Sequence, residues 1–228
     1  MEIKPIAYFR SPFSGKFGIP RQAGLVPDLR GSIVFEPGFR SAEALRGLED
    51  FDYIWLIWEF SANQAPDSFQ ATVRPPRLGG NRRVGVFASR SPFRPNSLGL
   101  SSVRLESIDY EAKGSDGKPI GPVINVLGGD LMDGTPIYDI KPYVEYADSH
   151  PGVQSGFVDV TNWEPLEVVF PDGLENRVPD IETLREVLSL DPRPHYQDDP
   201  SKEYGMSFAG REVRFRVEGR VLTVISIG

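Results

Sequence analysis

From Arg74 to Leu100 the chain reads Arg-Pro-Pro-Arg-Leu-Gly-Gly and then, after Asn81 and two further arginines, Val-Gly-Val-Phe-Ala-Ser-Arg-Ser-Pro-Phe-Arg-Pro-Asn-Ser-Leu-Gly-Leu. Prolines fix φ and glycines permit close backbone approach, so these arginines stand on a stiff loop. A guanidinium offers a planar fork of donors matched to phosphate or carboxylate, and a rigid row of them is suited to gripping either group. The competing account is a Pro/Gly-rich connection whose arginines are merely solvated. Charge distribution weighs against solvation alone. Between Ser68 and Leu105 stand seven arginines (Arg74, Arg77, Arg82, Arg83, Arg90, Arg94 and Arg104) without one Asp or Glu, although the whole chain of 228 residues carries a net charge of −7. Acid is concentrated between Glu164 and Glu203, with eleven carboxylates against three arginines and one lysine. One basic surface can therefore face an anion while the remainder keeps the molecule acidic.

Other chemistries are poorly supplied. There is no cysteine, which removes disulfides, thiolate metal sites and cysteine nucleophiles and fits a reducing compartment. The two histidines, His150 and His195, are isolated and lie in no ligand-spaced carboxylate cluster, so no metal site is expected. A hydrolase needs a nucleophile, a base and an orienting group, and these histidines assemble none. The N-terminus lacks a basic region followed by an apolar run, and no segment has the length to cross a bilayer as a helix; the expected location is the cytoplasm.

The elements that must position the arginines are short. Glycine and proline, 23 and 21 in number, punctuate brief apolar runs in the manner of strands joined by tight turns. Strands are expected at Ile3 to Phe9, Ser32 to Glu36, Tyr53 to Phe60, Arg83 to Ala88, Leu98 to Glu106, Val123 to Leu127 and Ile137 to Tyr143. A short helix is expected between Ser41 and Leu48, capped by Ser41. With so little helical cover, a closed antiparallel β-barrel is the economical answer to exposed strand edges. Trp55 and Trp58, on one strand, should face opposite sides, as core or as dimer interface.

A boundary is expected after residue 155, where the chain turns Gly-rich and then acidic, leaving a barrel domain over 1–155 and a small α+β domain over 163–228. In the latter, Asp180 should cap a helix bearing Ile181, Leu184, Val187 and Leu188 on one face, ended by Asp191-Pro192. A hairpin follows, with Val213, Phe215 and Val217 alternating with Arg214 and Arg216, a turn at Glu218-Gly219, and a return from Val221 to Ile227. The arginines of that hairpin fit a solvated sheet face.

Several blocks in order resemble the TrmO (TsaA-like) family: Phe17-Gly18-Ile19-Pro20-Arg21-Gln22, Leu45 to Trp55, Arg74 to Gly80, Arg90 to Gly99, and Asp130 to Tyr143, which reads Asp-Leu-Met-Asp-Gly-Thr-Pro-Ile-Tyr-Asp-Ile-Lys-Pro-Tyr. Asp191-Pro192-Arg193-Pro194, Tyr196 and Tyr204-Gly205 are similar to the family's C-terminal elements. The resemblance implies methylation of the exocyclic amino group of N-threonylcarbamoyladenosine beside the anticodon of a threonine tRNA. It implies S-adenosylmethionine as donor, tRNA as partner, and a homodimer whose mainly β, non-Rossmann barrel binds the donor. No Gly-x-Gly-x-x-Gly follows an early strand, in agreement.

Carried over residue by residue, the donor site implied by the resemblance takes Pro20, Arg21 and Gln22 from one loop and Ser61 and Ala62 from a second. Arg90 and Leu100 come from a third, and Asp130, Leu131, Met132 and Asp133 from a fourth. Arg21 or Arg90 would meet the donor's carboxylate, Gln22 its polar edge, Asp130 or Asp133 its ammonium or ribose hydroxyls, and Leu100 and Leu131 its adenine. At Ser61 relatives carry a histidine. The Asp-Gly-Thr-Pro turn also has a plain turn-forming explanation. The RNA side falls to Arg74, Arg77, Arg94, Lys141 and Arg193, with Phe93 or Tyr143 receiving an everted base; barrel packing is the competing role for both rings. Asn96, Asp139 or a backbone carbonyl of the Arg94-Pro95-Asn96 turn would orient the amine or accept its proton. The alternative function is a non-catalytic barrel that binds RNA or nucleotides through the same arginines.

Overall fold

The structure, a computed structural model, describes residues 2–63, 68–75, 82–160, 164–171, 173–193 and 199–228. Arg77, Pro194, His195 and Tyr196, named above, lie outside the described residues. The chain divides into two compact units, Met1–Ala62 with Leu98–Tyr143, and Asn63–Ser97 with Val144–Gly228. In this division residues 63–97, which carry most of the arginine-rich segment, group with residues 144–228.

The first unit is built from β1 (Ala7–Arg10), β2 (Arg30–Phe35), β3 (Tyr53–Glu59), β6 (Leu98–Asp109), β7 (Val123–Leu127) and β8 (Pro136–Pro142). The intervening strands β4 (Thr72–Val73) and β5 (Val84–Gly85) form a separate two-stranded sheet in the second unit. The six strands pair antiparallel in the cyclic order β1-β2-β7-β6-β3-β8, a closed barrel. Closure leaves no strand of the ring with an unpaired edge. Alternation follows from the pleat. Along β3, Ile54, Leu56 and Trp58 are buried while Tyr53, Trp55, Ile57 and Glu59 point outward, so the two tryptophans do face opposite sides. Phe9, Ile33, Ile124, Val126, Val103 and Ile137 complete the interior with them.

The expected helix at residues 41–48 is instead two turns of 3-10 helix, Ala42–Leu45 and Leu48–Asp50. Ser41 makes no side-chain cap bond, and Gly47, at φ 82°, takes a left-handed conformation that stops a continuous helix. The expected strand at 83–88 is correspondingly short, because Val86–Ala88 coil into a 3-10 turn.

In the second unit a one-turn helix α1 (Glu145–Asp148) precedes β9 (Glu167–Val169), helix α2 (Ile181–Ser189), β10 (Tyr204–Phe208), β11 (Arg211–Glu218) and β12 (Val221–Ile227). Asp180 caps α2 as expected, accepting from the Thr183 N–H at 3.1 Å and from its hydroxyl at 2.7 Å. Leu184, Val187 and Leu188 are buried on one face. The sheet order is β10-β11-β12-β9, with β9 parallel to β12 and the remaining pairs antiparallel.

One barrel irregularity has chemical content. Between β3 and β8, Ile57 pairs with Asp139 but Trp58 with Ile137, so Tyr138 is the extra residue of a bulge. Its hydroxyl donates to the Glu59 carboxylate. That bond, followed by burial and the carboxylate's charge, pushes the Tyr138 hydroxyl up to about 12. Because the folded value lies above the ordinary 10.0, the stabilisation is complete below 10 and is lost as pH rises toward 12. Tyr138→Phe should therefore remove the last tyrosine transition in an alkaline absorbance titration. It should also cost about 1–3 kcal/mol near neutral pH in urea unfolding, with the difference fading at high pH. A mutant with unchanged titration would show that the hydroxyl is not so held.

Candidate functional site

In the barrel unit, two loops expected to serve the donor are fastened side by side. Gly24 N–H donates to the Gly128 carbonyl at 2.8 Å, and Gly128 N–H to that of Leu29 at 2.8 Å. The loop that begins at Pro20, Arg21 and Gln22 is thereby tied to the turn that leads into Asp130. Pro20 is buried, and the Gln22 amide donates to the Arg21 carbonyl.

Asp130 is held from inside the barrel. Gly99 lies opposite Trp58, and a β-carbon built there would come within 2.3 Å of the indole, so only glycine leaves the ring its place. The indole N–H then donates to the buried Ser101 hydroxyl at 3.0 Å, and that hydroxyl donates to Asp130 Oδ1 at 2.6 Å. Sequence reasoning missed Trp58 and Ser101 as positioning residues. The available signal was a glycine and a small hydroxyl spaced by two, facing an inward tryptophan across the sheet.

Asp133 is committed to the fold. Its Oδ1 accepts from the Ser11 N–H at 3.2 Å, its Oδ2 lies 3.6 Å from the Arg10 guanidinium, and its own N–H donates to the Phe13 carbonyl at 2.8 Å. The Met132 carbonyl accepts from both the hydroxyl and the N–H of Thr135, the turn chemistry of Asp-Gly-Thr-Pro. Leu131, expected against adenine, is a core residue at 1% exposure. Leu100 points the other way from Ser101 and is exposed, while Ser61 and Ala62 stand exposed just past β3.

Strand register forms a second group on the outer face. Leu100, Ile57 and Asp139 lie in one cross-strand row, and Ser102, Trp55 and Lys141 in the next. Lys141 Nζ is 3.3 Å from Asp139 Oδ2. Tyr143 sits beside Tyr53 and Trp55, its ring centroid 6.2 and 5.8 Å from theirs. Asp139 also lines a groove of ≈ 360 Å³ with Phe35, Phe39, Leu45 and Phe51, which includes none of the expected donor residues.

The remaining expected residues belong to the second unit. Arg94 donates to the carbonyls of Val86 at 3.2 Å and Ser89 at 2.8 Å, which stiffens its loop as expected but commits much of the guanidinium locally. Asn96 is exposed next to Ser97, whose φ is 47°. Arg74, Arg90 and Phe93 are exposed. Arg193, expected on substrate, grips Asp191 through two bonds of 2.9 Å at 10% side-chain exposure, a clasp within the turn that ends α2. Among the described residues no group of three potential metal ligands forms, and no described helix is long and apolar enough to cross a membrane.

A small antiparallel barrel carrying polar loops, followed by a four-stranded C-terminal sheet, defines a recognisable class. Residues 8–149 match the family model described as the tRNA-methyltransferase O N-terminal domain, and residues 164–228 match the TrmO C-terminal domain. The chain belongs to the TrmO family. It is 37% identical over 227 residues to the tRNA (adenine(37)-N6)-methyltransferase of Escherichia coli, covering 95% of this chain and 93% of that one. It is 42% identical over 214 residues (90% and 87% of the two chains) to Pseudomonas aeruginosa RcsF, whose name provisionally assigns it to the S-adenosylmethionine-dependent methyltransferases. A crystal structure of TrmO from P. aeruginosa superposes with a TM-score of 0.77 at 33% identity, covering 100% of this chain and 96% of that one.

If the Trp58–Ser101–Asp130 relay positions the carboxylate, Ser101→Ala should cost about 1–3 kcal/mol by stranding the buried indole N–H. A double-mutant cycle with Trp58→Phe in urea unfolding should show coupling, and strict additivity would contradict the relay.

Proposed function

We propose that this protein is an S-adenosylmethionine-dependent tRNA methyltransferase acting on the exocyclic nitrogen of an adenosine. Family membership supports this, and so does the observation that carries it at the site: a loop bearing Arg21 and Gln22 fastened to one bearing a carboxylate held by Ser101. The donor set fits the cofactor. A carboxylate suits the ammonium or ribose hydroxyls of S-adenosylmethionine, and a guanidinium and an amide suit its carboxyl end. The cofactor, when bound, supplies a sulfonium methyl that is already activated toward nucleophiles.

The residues of the chain need mainly to align an acceptor nitrogen and remove its proton. The finer reading is that the acceptor is N-threonylcarbamoyladenosine next to the anticodon of threonine tRNA, bound by a homodimer in the cytoplasm. Residues 1–155 would hold the donor, and 163–228 would form the small accessory domain. Arg21, Gln22, Asp130 and Arg90 bind the donor in this reading, joined by Pro20, Ser61, Ala62 and Leu100. Arg74, Arg77, Phe93, Lys141 and Tyr143 face RNA. Asn96, Asp139 or a backbone carbonyl of the Arg94-Pro95-Asn96 turn orients the amine or accepts its proton, as N–CH3 forms and S–CH3 breaks.

Incubation with labelled donor and tRNA already bearing the threonylcarbamoyl group should transfer label, and no transfer by folded protein would overturn the reading. In calorimetric titration Asp130→Asn or Arg90→Ala should weaken donor binding about ten- to hundredfold. RNA binding without any heat from S-adenosylmethionine would identify the non-catalytic module instead. If Asp139 is the group that accepts the proton, Asp139→Asn should lower turnover about a hundredfold at unchanged donor affinity.

A further inference from the structure

Two phenylalanines flank the β4–β5 hairpin where water would normally disfavour them. Phe69 is 61% exposed and Phe87 70% exposed, yet their rings stack, with centroids 6.2 Å apart and planes inclined by 27°. The hairpin puts them together. Thr72 pairs with Gly85, and the Val86 N–H donates to the Ala71 carbonyl at 3.0 Å, so the flanking residues leave the ladder side by side. The Arg94 guanidinium lies 5.8 Å from the centre of the Phe87 ring while its bonds to Val86 and Ser89 hold it there. The Phe87 ring therefore has over it a cation that the bonds of Arg94 hold in place.

The surroundings select the occupant. Arg74, Arg82 and Arg83 are exposed, and none meets a carboxylate among the described residues. No acid occurs from Ser68 to Leu105. An apolar protein surface would gain nothing from this guanidinium rim, whereas a flat π-face next to a polyanionic backbone satisfies both features. Duplex RNA hides its base faces in the helical stack; unpaired nucleotides present them.

We propose that Phe69 and Phe87 form a stacking platform for an unpaired nucleobase of RNA, with Arg74, Arg82 and Arg83 engaging the adjoining phosphates. The platform rests on the tRNA reading for the identity of the RNA and deepens it: it would seat a loop nucleotide other than the methyl acceptor.

The test is fluorescence anisotropy of the full chain with a labelled anticodon stem-loop and with a fully paired hairpin stem as control. Phe69→Ala and Phe87→Ala should each weaken stem-loop binding about tenfold while leaving stem binding and thermal stability unchanged. The slope of log K against log salt should not move, because no charge is lost, whereas Arg82→Ala should lower it by about one. Phe87→Trp should retain affinity, and Phe87→Leu, apolar but without a π-face, should behave as Ala.

Alanine variants that bind the stem-loop like the parent would overturn the platform, as would equal losses on stem and stem-loop. Dissociation of a dimer by these variants in light scattering, with RNA affinity unchanged, would overturn it by marking a protein interface. Methyl transfer with an unaltered KM for RNA in Phe87→Ala removes the platform but leaves the enzyme reading. Stacking-dependent binding without any methyl transfer does the reverse.

Discussion

The close approach of the Trp58 indole to the Gly99 backbone is the contact on which the barrel end depends. A large ring can enter the closed interior because the strand opposite offers no side chain at that position. Its one polar atom then needs a partner, since an unpaired N–H buried there is costly. Ser101 meets that need and, having its own proton to place, turns it toward Asp130. A packing solution and a polar site thus share one row of atoms. The neighbouring loop is fastened to the turn before Asp130 by backbone bonds at Gly24 and Gly128.

Much of the barrel was legible because short apolar runs bounded by turn residues mark its strands. Tyr53 to Glu59 is such a run, whose burial alternates only in the folded sheet, and Val123 to Leu127 emerges with the expected bounds. Legibility failed where tertiary geometry decides. The stretch after Ser41 has helical composition, but its cap bond is absent and Gly47 is left-handed, so it breaks into two turns. Strand β9 is three residues long and exists through its parallel partner, and β10 includes a glycine and a serine that weaken any pattern. Tyr138 sits in a bulge, which no local sequence feature announces.

The site was legible in part. Its loops could be located by their resemblance to a family, but the division of labour within them could not. Asp130 and Asp133 look equivalent in the sequence, yet one is held by a hydroxyl from the barrel interior and the other knits the turn to Ser11 and Arg10. Leu100 and Leu131 look equally apt for an adenine, yet one is 58% exposed and the other 1%. The contacts that separate these roles join residues 43 and 29 positions apart, beyond the reach of motif spacing. Arginines divide similarly: Arg193 and Arg94 fasten their own turns, whereas Arg74, Arg82 and Arg83 stand outward.

The position of β12 inside the C-terminal sheet, between β11 and β9, bears on how the protein is made. Domains tend to form as units while a chain emerges from the ribosome. Here β9 is synthesised long before Val221–Ile227, and it has no other partner in that sheet. Until Val221–Ile227 emerge, β11 lacks one of its two neighbours and β9 its parallel partner. The unit therefore cannot close progressively during translation. Loss of residues 221–227 would remove an interior strand rather than fray an edge.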